Sequence, residues 1–237
     1  IVNTIGGPLA PSNVAITSSN ISGFTGAYPS LPAQNFYAGV YTFTAGPSTP
    51  ATGINLAISN TIIDGTQTVT QSSAGVYLAD FSTGTVAVQT VTIDECDIKN
   101  NTNRGVDARG RVNATITESS FTNNGGAAPG TGGNNGYTII AQQGANVTAT
   151  NNFITHPATS SSSVTALLTG NTPGAAPNNI INATNNSILL NGNVQGFGAN
   201  NTSGNTLNAT CNWWGVTCSN IAPLIVGVVT YEPYLTS

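Results

Sequence analysis

The chain has 237 residues, of which 39% are hydrophobic and only 5% are charged, with a formal net charge of −4. That is enough apolar material for one sizeable core, and a surface of Asn, Thr, Ser and Gly in place of Lys and Glu excludes the basic patches that nucleic acid and anionic membranes require. No apolar stretch reaches the roughly 18 residues of a membrane-spanning helix, and the start at Ile1 in a chain without methionine reads as that of a processed product or an excised fragment.

In chain order, one short pattern recurs seven times: NVAITSSNISG, NLAISNTIIDG, TVTIDECDIKN, NATITESSFTN, NVTATNNFITH, INATNNSILLN and LNATCNWWGV. Each copy has an anchor, at Ile16, Ile58, Ile93, Ile116, Ala149, Ala183 and Ala209. Two residues before each anchor is another apolar residue, from Val14 to Leu207, which is the period of a strand. Five residues after it comes a third apolar residue: Ile21, Ile63, Ile98, Phe121, Ile154, Ile188 and Trp214. The odd step predicts a turn, after which the chain points inward again. Three residues after the anchor, Ser19, Thr61, Cys96, Ser119, Asn152, Asn186 and Asn212 are small or amide residues. Asn tolerates left-handed backbone and stacks in hydrogen-bonded ladders, so this position is predicted to line the turn.

Anchor spacing runs from 23 residues (Ile93 to Ile116) to 42 (Ile16 to Ile58). Between anchors lies a weaker repeat, AGVYTF, AGVYLA, RGVDAR and NGYTII, so each repeat unit is expected to hold at least two strands. The stretches GPSTPATG, GGAAPGTGGNNG, HPATSSSS and GNTPGAAP read as inserted loops. Nothing reads as an amphipathic helix, and Glu, Lys and Met are nearly absent.

This spacing resembles the right-handed parallel β-helix of the pectate-lyase-like superfamily, in which I-x-x-N-x-I marks one turn of each coil. The resemblance covers about residues 14–215 and implies an all-β solenoid of about seven coils with inserted loops, one domain over 1–237, with 216–237 as terminal strand or cap. NWWG at 212–215, Pro223 and YEPYL at 231–235 resemble the ending of bacterial secreted and surface β-helix proteins, which implies an extracellular or cell-surface location. The two cysteines Cys211 and Cys218 are a departure from that ending; a disulfide could span the short loop between them, and two reduced thiols are the alternative. Nine N-x-S/T sequons occur, against about seven expected by chance from composition, so they carry little weight for glycosylation.

All four basic residues, Lys99, Arg104, Arg109 and Arg111, fall in one window with Asp94, Glu95, Asp97, Asp107 and Glu118. Polysaccharide lyases of the resembled fold hold calcium with aspartates and use Arg or Lys as base, which would assign Asp94 and Asp97 as ligands and Arg109 as base. The competing reading is a surface ion-pair cluster between neighbouring coils. No two carboxylates can be set at the separation a glycosidase needs, and His156 reads as a loop histidine without catalytic partners. Thr92, Thr115, Thr117, Thr148 and Thr150 flank anchors and should point outward in stacked columns, the pattern of an ice- or glycan-binding face. Trp213 and Trp214 read as an aromatic plug over the last coil. The apolar ends, IVNTIGGPLAP and APLIVGVVTYEPYL, could add to a neighbouring copy by strand addition.

The expectation is a non-enzymatic extracellular structural protein, surface-adhesive or filament-forming, without a cofactor. The alternatives are a polysaccharide lyase or glycoside hydrolase, with Ca2+ required only by the lyase, and an ice- or glycan-binding solenoid.

Overall fold

A computed structural model describes residues 12–24, 36–46, 53–65, 72–82, 89–125, 135–156, 163–170, 179–191, 196–202 and 204–236. The expected loop stretches and the apolar segment IVNTIGGPLAP lie mostly or wholly outside them.

The described chain is all-β. In order, the strands are β1 (Ser12–Thr17), β2 (Asn20–Ser22), β3 (Phe36–Gly46), β4 (Ile54–Ser59), β5 (Ile62–Asp64), β6 (Ser72–Ser82), β7 (Gln89–Asp94), β8 (Asp97–Lys99), β9 (Arg104–Gly110) and β10 (Val112–Thr117). They continue as β11 (Ser120–Thr122), β12 (Asn135–Gln142), β13 (Asn146–Thr150), β14 (Phe153–Thr155), β15 (Ser163–Gly170), β16 (Ile180–Thr184), β17 (Ser187–Leu189), β18 (Phe197–Asn201), β19 (Thr206–Asn208) and β20 (Ile225–Val226). Three parallel sheets collect them. Sheet A has the order β1-β4-β7-β10-β13-β16-β19, sheet B β2-β5-β8-β11-β14-β17, and sheet C β3-β6-β9-β12-β15-β18-β20. The chain therefore passes A, B, C, A, B, C in an unbroken cycle, the order of a parallel solenoid. We call one such pass a circuit; it has three strands, where the sequence predicted at least two.

The repeat residues form the core because alternation turns them to one side. Strands β4, β7 and β10 alternate buried and exposed, and the register stacks Leu56, Val91, Ala114 and Val147 in one column and Ile58, Ile93, Ile116 and Ala149 in the next. Ile63, Ile98, Phe121, Ile154, Ile188 and Trp214 complete the core from the sheet B side, each at most 1% exposed. Each such side chain contributes about 1.5–3 kcal/mol of burial.

The turn from sheet A to sheet B explains the invariant step. Its left-handed residue is the second after the anchor, not the third: Ser18, Asn60, Glu95, Glu118, Asn151, Asn185 and Cys211 have φ between 47° and 59°. The third residue points in and forms the ladder. Cys96 N donates to Ser119 Oγ (3.1 Å), Ser119 N to Asn152 Oδ1 (3.0 Å), Asn152 N to Asn186 Oδ1 (2.8 Å) and Asn186 N to Asn212 Oδ1 (2.8 Å). A second ladder, missed in the sequence, lines the turn after sheet B. There Asn101 N and Nδ2 both donate to Asn124 Oδ1, and Asn100 and Asn123 are left-handed.

Sheet C begins at a bend built on stacked glycines. A Cβ on Gly39 would lie 2.6 Å from Ile63 Cγ2 and 2.9 Å from Gly75 O, and one on Gly75 would lie 2.9 Å from Gly105 O. The fourth copy of this weaker repeat was misaligned by two residues. Tyr137 pairs with Arg104 and Ile139 with Val106, so Thr138, not Gly136, takes the bend position.

After β19 the chain completes the cycle with a bridge from Trp213 to Ser187 in sheet B and with β20 in sheet C. The tail then crosses back: Thr230 bridges Asn208 at the end of sheet A, and Leu235 N donates to Asn212 O (3.0 Å). The last circuit is thus covered by the chain's own tail as well as by an indole.

Candidate functional site

The charged window divides among the three sheets. Asp94 ends β7 in sheet A, where Thr117 Oγ1 donates to its Oδ1. Asp97 opens β8 in sheet B and pairs with Lys99 at 2.5 Å, whose ammonium is held above its ordinary pKa chiefly by that hydrogen bond. Arg109 lies in β9 of sheet C. The structure therefore does not assemble Asp94, Asp97 and Arg109: each belongs to a different sheet of one circuit and already has its own partner. Among the described residues no group of three His, Cys, Asp or Glu side chains is placed to hold a metal ion.

Arg109 belongs instead to a buried cluster on the outer side of sheet C. Asp107 is 0% exposed and takes Arg104 Nη1, Arg109 Nε (3.1 Å) and Arg109 Nη2 (3.0 Å). The ion pairs run along one strand, not between neighbouring coils, and at their centre they are buried rather than on the surface. Arg109 Cζ stands 5.1 Å from the centre of the Tyr77 ring, which stacks on Tyr41 at 5.3 Å with 16° between planes. Burial pushes the Tyr77 hydroxyl up to about 12, against the opposing pull of Arg109. Burial opposes the Arg109 charge, and Asp107 more than offsets it, leaving that guanidinium above its ordinary value. This group holds its charge by mutual pairing, and a cationic residue so paired is poorly suited to act as a base. The signal in the sequence was the Tyr of AGVYTF and AGVYLA, at the same position of the repeat as the Asp of RGVDAR.

The threonines line the outer face of sheet A in register. Thr92, Thr115 and Thr148 form one exposed column, and Thr117 and Thr150 stand half-buried in the next. The first column continues through Ala57 and Ala15 on one side and Asn182 and Asn208 on the other. Beside this stretch of the column lies an open depression of about 350 Å³, lined by Asn13, Val14, Ala15, Asn55, Leu56, Ala57, Thr90 and Thr92.

Trp214 is 1% exposed and points into the core, while Trp213, one residue away on a strand-like segment, faces outward and is half-buried. Only Trp214 is a plug. It fits because Gly198 opposite has no side chain: a Cβ there would lie 2.6 Å from Trp214 Cζ3. Of the two alternatives for Cys211 and Cys218, the structure has free thiols. The left-handed Cys211 follows the turn geometry of its column, where Ser, Asn or Glu stands in other circuits. Cys96 is the buried thiol expected, on the ladder, with its Sγ donating to Asp94 O (3.2 Å).

His156 lies just past β14, outside any strand, and is buried. It is 1% exposed, its Nε2 lies 2.8 Å from Thr138 Oγ1, and burial lowers its pKa to about 4. Thr138 is the residue that pairs in register where other circuits have glycine. No helix among the described residues is long and apolar enough to cross a membrane. No family model, no curated protein and no solved structure matches this chain.

Proposed function

We propose that the chain is a right-handed parallel β-helix of seven coils and that its role is structural: a non-enzymatic extracellular subunit, surface-adhesive or filament-forming. The observation that carries this reading is where the polar chemistry goes. The ladder residues bond from coil to coil, Asp94 bonds across coils to Thr117, and Asp107 joins Arg104 and Arg109 along one strand. These groups hold the stack together. The extracellular placement rests on the nearly neutral Asn- and Thr-rich surface and on the likeness of the NWWG and YEPYL segments to the endings of secreted β-helix proteins. Negative-stain electron microscopy of the purified chain, with assays on pectin and alginate in the presence of Ca2+, tests it. Rods or fibres without depolymerisation are expected; turnover of either polymer that is lost in Arg109→Ala would overturn it.

The depression on sheet A favours a second reading, binding of a neutral glycan. Amide and hydroxyl groups surround an alanine floor there, and no charged residue lines it. Ala57→Trp would fill the depression and abolish binding on a glycan array. Ice binding is less well served, because only three threonines follow one another in the exposed column.

A further inference from the structure

The two ends of the stack differ. At the first end β1, β2 and β3 are the outermost strands of their sheets, and each has one neighbouring strand among the described residues. At the last end the tail lies along the edge of sheet A. Thr230 N donates to Leu207 O (3.0 Å), Ala209 N to Thr230 O (2.6 Å), Cys211 N to Pro233 O (2.5 Å) and Leu235 N to Asn212 O (3.0 Å). Asn201 Nδ2 also donates to Val228 O. Despite these bonds the tail is thinly buried. Val229, Tyr231 and Tyr234 are only partly covered, Val228 is 87% exposed and Leu235 is 44% exposed.

What the tail covers has a direction. From Cys96 to Asn186, every rung of the inner ladder gives its backbone N–H toward the C-terminal end, to a side-chain oxygen one circuit later. Asn212 is the last rung, and Leu235 of the tail already takes its carbonyl. At the other end, Ser19 N donates to Thr61 Oγ1, so Ser19 is the first rung among the described residues; its Oγ donates to Thr17 O, as Ser119 Oγ does to Thr117 O while also accepting from Cys96 N. The last rung therefore offers what the first rung accepts. The inner columns end in the same complementary way, with half-buried Val14, Ile16 and Ile21 at the first end.

We infer that the tail is a displaceable cap, and that the partner which fits beneath it is the first circuit of a second copy, β1 on β19 and Ser19 on Asn212. This rests on the structural reading above and adds its geometry. The junction is parallel and head-to-tail, and such a contact does not close on itself, so it propagates as a filament. An edge strand covered by its own chain is how natural sheets avoid that outcome. Tail release is then the step that controls assembly.

The test uses the full chain. Thr230→Pro removes the donor to Leu207 O, and Leu235→Pro removes the donor to Asn212 O. Ala15→Pro blocks the first circuit. Ser12 N and Ser18 N donate toward β4, so the odd-numbered N–H of Ala15 faces the open edge, where proline is tolerated. Sedimentation velocity across protein concentration reads assembly, and hydrogen exchange at Ala209, Cys211 and Leu235 reads tail release. Thr230→Pro should release these amides and form end-to-end oligomers at concentrations below those at which the parent forms fibres, and adding Ala15→Pro should abolish them. Released amides without association overturn the proposal, as do amides that stay protected or oligomers that persist with Ala15→Pro. Loss of the fold in both tail variants also overturns it, because a displaceable cap does not hold the fold. Filaments of the parent chain with its tail amides protected would overturn the cap and leave the structural reading standing.

Discussion

Gly198 and Trp214 form a tightly packed pair in the core. In Gly198→Ala the new Cβ would sit 2.6 Å and 2.7 Å from Cζ3 and Cε3 of the indole. Contacts that short do not occur, so either the ring or β18 must shift. Overpacking of a well-filled core costs about 1–3 kcal/mol. For a chain of this size each kcal/mol lowers the melting temperature by roughly 2–4 °C. Trp214→Phe removes the outer ring that makes the contact, together with an indole N–H that has no hydrogen-bond partner among the described residues. A buried donor left unpaired costs about 1–3 kcal/mol, which offsets part of the lost packing. A double-mutant cycle read by chemical denaturation should give a coupling of about 1–3 kcal/mol, with Gly198→Ala nearly neutral in the Trp214→Phe background. Equal destabilisation by Gly198→Ala in both backgrounds would refute the packing argument.

Three other perturbations separate the structural roles. His156 has its folded pKa lowered from 6.5 to about 4, so its stabilising neutral form is fully in force above pH 6.5 and is lost as pH falls through 4. At about 1.36 kcal/mol per unit the loss is about 3 kcal/mol, seen in denaturation midpoints against pH; His156→Gln should flatten that limb. Asn186→Ala removes the acceptor for Asn152 N and Nδ2 and the donor to Ala149 O, Thr184 O and Asn212 Oδ1. It should cost about 3 kcal/mol or more, whereas Asn55→Ala, with one exposed bond to Asn13, should change urea stability by less than about 0.5 kcal/mol. Asp107→Asn leaves Arg104 and Arg109 sharing a neutral amide where they shared a charge. A loss of about 3 kcal/mol in guanidinium denaturation is expected, with no change in behaviour toward any polymer.

Sheets A and B were legible because each half of the repeat leaves a residue-level trace. Alternation marks Val91 and Ile93, and the left-handed turn with its inward rung fixes the odd step to Ile98. Sheet C was legible only as a weaker repeat, because both of its faces are buried. Tyr41, Tyr77, Ile140 and Leu168 are covered on the outer side while Val40, Val76 and Ile139 fill the core, so alternation vanishes. Thr138 in place of glycine at the bend then shifted the alignment of the fourth copy. That lost register is why Asp94, Asp97 and Arg109 looked like neighbours: proximity in sequence fixes the circuit but not the side of it. The Trp214 position followed from the repeat alone. The tail over the last circuit did not, because its bonds come from isolated residues such as Thr230 and Leu235, which have no period to detect.

The central claim is that the circuits stack as successive layers in register. Spin labels at Ala15 and Asn208, one exposed and one half-buried on the same outward column, test it most directly by pulsed electron paramagnetic resonance, with Cys211 and Cys218 replaced by Ser. Six steps separate the two positions in sheet A, and at ~4.8 Å per step the backbone separation is about 29 Å. A single distance distribution near that value is what the account predicts. A distribution centred well below 20 Å, or one too broad to define a layer count, would contradict it.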